Sequence, residues 1–166
     1  TYTNPMIVCD SADFDGTNDY MTHGATLTGA VDSKTGILSL WVRFDAGTGL
    51  QRIISGVTTV GGATLRFRFS RSITSGVAVV TGQNAAGVAI LQMLTTASFA
   101  ASSTWHHFLL SWDLSVAAGH LYVNDVSDQA GGSTLTDDTL DYTLADWGIG
   151  AVPDGSEKLD GCLAEL

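Results

Sequence analysis

From Leu38 to Phe44 the side chains alternate without a break, Leu38, Leu40, Val42 and Phe44 on one side and Ser39, Trp41 and Arg43 on the other. A period of two belongs to a strand with one face against a core, and Trp41 is expected to cover the opposite face. Ala63 to Ser70 repeats the pattern: Leu65, Phe67 and Phe69 point one way, Arg66 and Arg68 the other, as in a half-buried antiparallel strand. Further strands are predicted over 52–57, 76–81, 88–94, 105–112, 120–126, 147–151 and 159–166. Asn124 and Asp125, at the end of one such alternation, tolerate the positive φ of a tight turn. No stretch beyond about ten residues keeps a 3.6-residue period free of glycine, so at most a short helical turn is expected, near 144–146. Strands spaced by roughly ten residues with turn signals between them describe an all-β chain of two packed antiparallel sheets.

Composition narrows the class. The 166 residues suit one domain with a sizeable core, and no composition break, repeat or linker divides them. A hydrophobic fraction of 45% and a mean hydropathy of +0.21 exclude a disordered acidic chain. No apolar run reaches the ~18 residues of a membrane-spanning helix. Nineteen glycines against two prolines fit short strands joined by glycine-containing turns. Seven cations against seventeen acids leave a net charge of −10. That field repels nucleic-acid phosphates and anionic lipid, so neither nucleic acid nor membrane is an expected partner. Arg43, Arg52, Arg66, Arg68 and Arg71 supply five of the seven cations, while most acids follow residue 112. This asymmetry reads either as solvated surface or as head-to-tail association of identical subunits through the Arg66–Arg71 strand. Residues 1–20 show neither the basic start nor the long apolar segment of a secretory signal.

Five short motifs occur in a fixed order: F-D-G-T-N-D-Y-M from Phe14 to Met21, L-S-L-W-V-R-F from Leu38 to Phe44, W-H-H-F-L-L-S-W from Trp105 to Trp112, H-L-Y-V-N-D-V from His120 to Val126, and L-D-G-C-L-A-E-L from Leu159 to Leu166. Together they resemble the laminin G-like, concanavalin A-like lectin and glucanase family, although residues 46–104 carry none of its motifs. The resemblance implies an antiparallel jelly-roll sandwich whose first and last strands lie side by side. Cys9 and Cys162 could then come within the ~5.5–6 Å of a disulfide, which would indicate an oxidising compartment, or remain two buried thiols. The resemblance also implies a calcium ion, with Asp15, Asp19 and Asp160 as candidate ligands. Where the family reads Ile-Asp-Glu in its last strand, this chain reads Leu163-Ala164-Glu165, so one carboxylate is missing. Family members continue past this strand, and a truncated C-terminus is expected.

Catalysis is not expected. A jelly-roll glucanase needs two carboxyl groups about 5–9.5 Å apart, in that family within a Glu-x-Asp-x-(x)-Glu run. The chain's two glutamates, Glu157 and Glu165, form no such run. Asp137, Asp138 and Asp141 sit among threonines and read as turn formers. His106 and His107, adjacent on a strand, point to opposite faces and cannot share one ion. Trp105, Phe108, Leu110 and Trp112 are assigned to packing, and His23 and His120 receive no role.

For binding, Trp147, beside Asp146 and Gly148, is the one tryptophan that could lie in a loop as an aromatic platform, with burial as the favoured alternative. Arg66, Arg68 and Arg71 could hold an anionic sugar or an acidic protein patch through bidentate contacts. The expected function is a non-enzymatic interaction module, a phage tail, fibre or capsid-surface domain that binds a glycan or neighbouring virion proteins and forms a homo-oligomer. The alternative is an extracellular bacterial adhesion or carbohydrate-binding module.

Overall fold

The computed structural model describes residues 11–46, 49–72 and 74–166. The chain forms β1 (Ala12–Asp15), β2 (Met21–Thr22), β3 (Thr35–Phe44), β4 (Gln51–Val57) and β5 (Leu65–Arg71). It continues through β6 (Val77–Gln83), β7 (Ala89–Ser98), β8 (Trp105–Asp113), β9 (Ala118–Val123) and β10 (Val126–Ser127). The last strands are β11 (Thr134–Leu135), β12 (Asp146–Ile149) and β13 (Asp160–Ala164). They build a six-stranded sheet in the order β1-β13-β3-β8-β9-β10 and a seven-stranded sheet in the order β11-β7-β6-β5-β4-β12-β2, with every pairing antiparallel. This is the expected two-sheet jelly-roll sandwich, and the first and last strands pair as expected.

Alternation sets the packing. In β3 Leu40, Val42 and Phe44 are fully buried; in β5 Phe67 and Phe69 are buried while Arg66 and Arg68 face outward. The sheets meet through Phe69 and Phe108, whose rings lie edge to face at 5.4 Å. Asn124 and Asp125 take φ of 50° and 65°, the paired positive values of a two-residue hairpin turn between β9 and β10. Strand ends differ from the expected bounds by a few residues, and the two-residue strands β2, β10 and β11 are too short to show a period.

Three expectations are corrected. Residues 144–146 form no helical turn: Leu144 is buried in the core, and Asp146 begins β12, its carboxylate accepting from the backbone N–H groups of Gly24 (2.7 Å) and Gly61 (3.0 Å). The helical turn is a 3-10 turn at Leu114–Val116, where Asp113 accepts from the Ser115 N–H and Ala117 closes the turn at φ 51°. The Arg66–Arg71 strand, through which association of identical subunits is one expectation, lies inside its sheet and not at an edge, because β5 is hydrogen-bonded to β4 and β6 on its two sides. Its backbone therefore offers no pairing surface to a second copy. Trp105 is not a core residue: its parity in β8 places it outward with His107, while Phe108, Leu110 and Trp112 are buried.

Candidate functional site

Two outward faces carry the polar side chains that could meet a partner. On the seven-stranded sheet a row of cross-strand partners runs Ser55, Arg68, Thr81, Gln92, Thr134 from β4 to β11. Neighbours in such a row have Cβ atoms about 4.5–5.5 Å apart. Arg68 is half-buried in its middle, and among the described residues no carboxylate lies within ion-pair distance of it. Thr81, opposite it, is 4% exposed, and its hydroxyl has no hydrogen-bond partner. A buried hydroxyl without a partner costs about 1–3 kcal/mol.

The arginines around it are not equivalent. Arg52, 4% exposed, gives its Nε–H to Glu157 at 2.5 Å. Burial, and secondarily the nearby Arg68 charge, pull its pKa down against the opposing pull of Glu157. Arg66 donates to the Gln83 side chain at 3.2 Å, while its buried Nε–H has no partner. A Cβ on Gly87 would lie 3.2 Å from the Arg66 guanidinium carbon, so the glycine leaves the space that the guanidinium fills. Arg71 shares the parity of Phe67 and Phe69: its Nε–H donates to the Phe99 carbonyl at 2.5 Å, and its guanidinium lies 5.1 Å from the Phe44 ring centroid. It seals the end of the core and does not join Arg66 and Arg68.

Trp147 lies in β12, not in a loop. In its row, Trp147, Gly56 and Phe67, it faces inward, and its ring packs 5.9 Å from that of Phe67. Gly56 is what makes room, since a Cβ there would come within 2.4 Å of Leu144 and 3.1 Å of Trp147. With Phe67, Trp112, Tyr142 and Met21, Trp147 lines an apolar cavity of about 530 Å³ between the sheets. Burial pushes the Tyr142 hydroxyl up to about 12, and that hydroxyl accepts from the Trp112 indole N–H at 3.1 Å.

On the outward face of the six-stranded sheet the charges are already answered. The Arg43 guanidinium grips both oxygens of Asp45 (2.5 and 2.7 Å) and also donates to the Cys162 sulfur at 3.1 Å. Burial first, then the Asp13 carboxylate, push the Cys162 thiol up to about 11, and it donates to Asp13 at 3.3 Å. The proposed partner Cys9 lies outside the described residues. Asp13, Asp45 and Cys162 bring their donor atoms within 4.8 Å of one another, whereas Asp15, Asp19 and Asp160 do not converge in this way. Asp15 and Asp160 are cross-strand partners, and one Asp15 oxygen already accepts from the N–H groups of Thr17 and Asn18. Asp19 lines a shallow hollow with Asp13 and Tyr20. Calcium takes six to eight oxygens. Two carboxylates and a protonated thiol neutralised by an arginine do not fit that requirement.

Several other acids and histidines have structural contacts. Asp137 pairs with Lys34, Asp138 accepts from Asn84, and Asp141 accepts from the Thr143 hydroxyl. His106 packs edge-on to Phe99 and burial lowers its pKa, while His107 stacks on Trp41. His120 stacks on Tyr122, and His23 lines the inter-sheet cavity.

The family model for the concanavalin A-like lectin/glucanases superfamily matches residues 15–166. The chain belongs to this superfamily. No curated protein matches it. Among solved structures, this concanavalin A-like chain is similar to the native heptameric SAP-like pentraxin of Limulus polyphemus, with a TM-score of 0.61 and 15% identity over 92% of this chain and 72% of that one. It is also similar to the CBM40 of the Ruminococcus gnavus IT-sialidase bound to α2,6 sialyllactose (TM-score 0.56, 15% identity, 78% of this chain and 73% of that one). A third likeness is to the receptor binding domain of botulinum neurotoxin mosaic serotype C/D (TM-score 0.56, 10% identity, 95% of this chain and 41% of that one). At these identities the likeness shows the fold. No helix among the described residues is long and apolar enough to cross a membrane.

Sequence reasoning missed Thr81 and Arg52. Nothing in the local pattern marks them, because the register that sets Thr81 opposite Arg68 joins strands through a loop. It also passed over Trp41 and Trp105 as a pair, although their parity alone assigns both to the outward face.

Proposed function

We propose that this chain is a non-enzymatic interaction module that binds an anionic glycan on the outward face of its seven-stranded sheet. The observation that carries the reading is Arg68: a half-buried guanidinium without a carboxylate partner among the described residues, set opposite the buried, unpartnered Thr81 hydroxyl. A sugar carboxylate would take bidentate hydrogen bonds from Arg68. The Arg52–Glu157 pair holds the neighbouring charge in place and leaves Arg68 to the ligand. The family and the sialyllactose-bound CBM40 are consistent with a carbohydrate partner. An acidic patch on a neighbouring protein subunit would meet the same chemistry, as in a homo-oligomer packed through this face. The setting we favour is extracellular or a virion surface, in keeping with a chain of two lysines rich in glycine. Calcium has no part in this site.

The test is a glycan array with sialylated, uronate-containing and neutral members, with and without chelator, on the wild type and on Arg68→Glu. The expected result is acidic-glycan binding that survives chelation and falls more than tenfold in the variant, with unchanged melting. Binding indifferent to Arg68→Glu, or sugar release by the wild-type protein, would overturn the reading.

A further inference from the structure

On the opposite side of the sandwich, Trp41, Trp105, Ala164 and Glu165 line a hollow of about 370 Å³. Its origin is a cross-strand pair: Trp41 of β3 stands beside Ala164 of β13, and the single methyl of Ala164 leaves the space next to the indole open. Both indoles are half-buried and propped by a basic side chain. His107 stacks on Trp41 at 5.0 Å and 27°, and the Arg43 guanidinium lies 5.5 Å from the Trp105 ring centroid. Arg43 is itself fixed by Asp45 and Cys162, so the prop under Trp105 is rigid. Rings locked by their neighbours lose little entropy when a ligand stacks on them.

We infer that this hollow is a second carbohydrate subsite, which takes the ring of an uncharged pyranose. The C–H face of a pyranose packs on an indole, and the exposed Glu165 carboxylate at the rim offers two acceptors for sugar hydroxyls. Charge selects the class. Among the described residues the lining's one charged side chain is an acid, and on the same face Asp13 and Asp45 outnumber the single cation Arg43, so an acidic sugar is repelled here while a neutral one is not. The inference rests on the glycan-binding reading above and extends it: one face for an acidic sugar, the other for a neutral ring, and hence a module able to engage two parts of a glycan coat at once.

The experiment titrates the protein with a neutral oligosaccharide set (maltotriose, mannotriose, N-acetyllactosamine) and, separately, with sialyllactose and trigalacturonate, reading tryptophan fluorescence and calorimetry. The variants are Trp41→Ala and, because loss of an indole could disturb the sheet, Ala164→Leu, which fills the hollow and leaves both tryptophans in place. Arg68→Glu serves as control. The expected result is that at least one neutral sugar binds, that Trp41→Ala and Ala164→Leu each weaken it about tenfold or more, and that both retain binding of the acidic sugars. Arg68→Glu should show the reverse. Acidic sugars bound and neutral ones ignored would overturn this inference and leave the Arg68 reading standing. Neutral binding that tolerates Ala164→Leu would also overturn it, as would fluorescence quenching by choline with none by the sugars. No binding of either class would end both.

Discussion

The two outward faces of the sandwich use the same residue types to opposite ends. On the six-stranded sheet Arg43 is enclosed by Asp45, Cys162 and the Trp105 ring, so its charge serves the fold. On the seven-stranded sheet Arg68 is half-buried in its row with no carboxylate within ion-pair distance among the described residues, while Glu157 pairs with Arg52. An arginine is therefore held within the fold, or left for the proposed ligand, by whether its acid is supplied from within the chain. The acidic cluster on the six-stranded sheet follows the same logic. Where the chain places acids together at Asp13 and Asp45, it also supplies the cation.

The largest break in this comparison comes from removing an internal partner. Glu157→Ala leaves the Arg52 guanidinium buried without its acid and should cost about 2–3 kcal/mol, less than a fully buried pair because Glu157 is partly exposed. Chemical denaturation would measure it, and a loss below ~0.5 kcal/mol would show that Arg52 finds another acceptor. Arg43→Met keeps the packing on Trp105 but frees Asp13 and Asp45. A loss of about 1 kcal/mol is expected, and the variant, unlike the wild type, should gain stability when calcium is added.

A smaller effect has the opposite sign. Asp160 has its pKa raised, first by burial and then by Asp45, Asp15 and Asp13. A raised folded-state pKa contributes stability that is present below the unfolded value and lost as pH rises through the folded one. Asp160→Asn should therefore raise Tm by about 1–2 °C at pH 7, and the gain should vanish below the ordinary carboxylate range, near pH 3. A variant equally stabilised at both pH values would point to packing. The smallest expected effect is that of chelation on the wild type, which should leave Tm unchanged within about 1 °C. A larger drop would restore an ion to the acidic cluster.

Much of this was legible in the sequence because it depends on near neighbours. The alternation at Leu38–Phe44 and Leu65–Ser70 fixes which side chains are buried, and it already separates Arg71 from Arg66 and Arg68 by parity. Trp41 is outward by the same rule, and so is Trp105, although the motif alone groups it with the packing residues Phe108, Leu110 and Trp112. The Asn124–Asp125 turn is likewise local, since both residues tolerate positive φ.

What the tertiary structure alone decided is registry between distant segments. Arg68 meets Thr81 because β5 and β6 pair with that offset, Arg52 meets Glu157 across 105 positions, and Trp41 meets Ala164 because β13 lies beside β3. Periodicity determines the face of a strand on which a residue lies. It carries no information about which strand becomes the neighbour, whether a strand is central or at an edge, or whether the carboxylate that would silence an arginine arrives from elsewhere in the chain. Those outcomes follow from the packing free energy of the whole sandwich, and they distinguish a structural arginine from one open to a ligand.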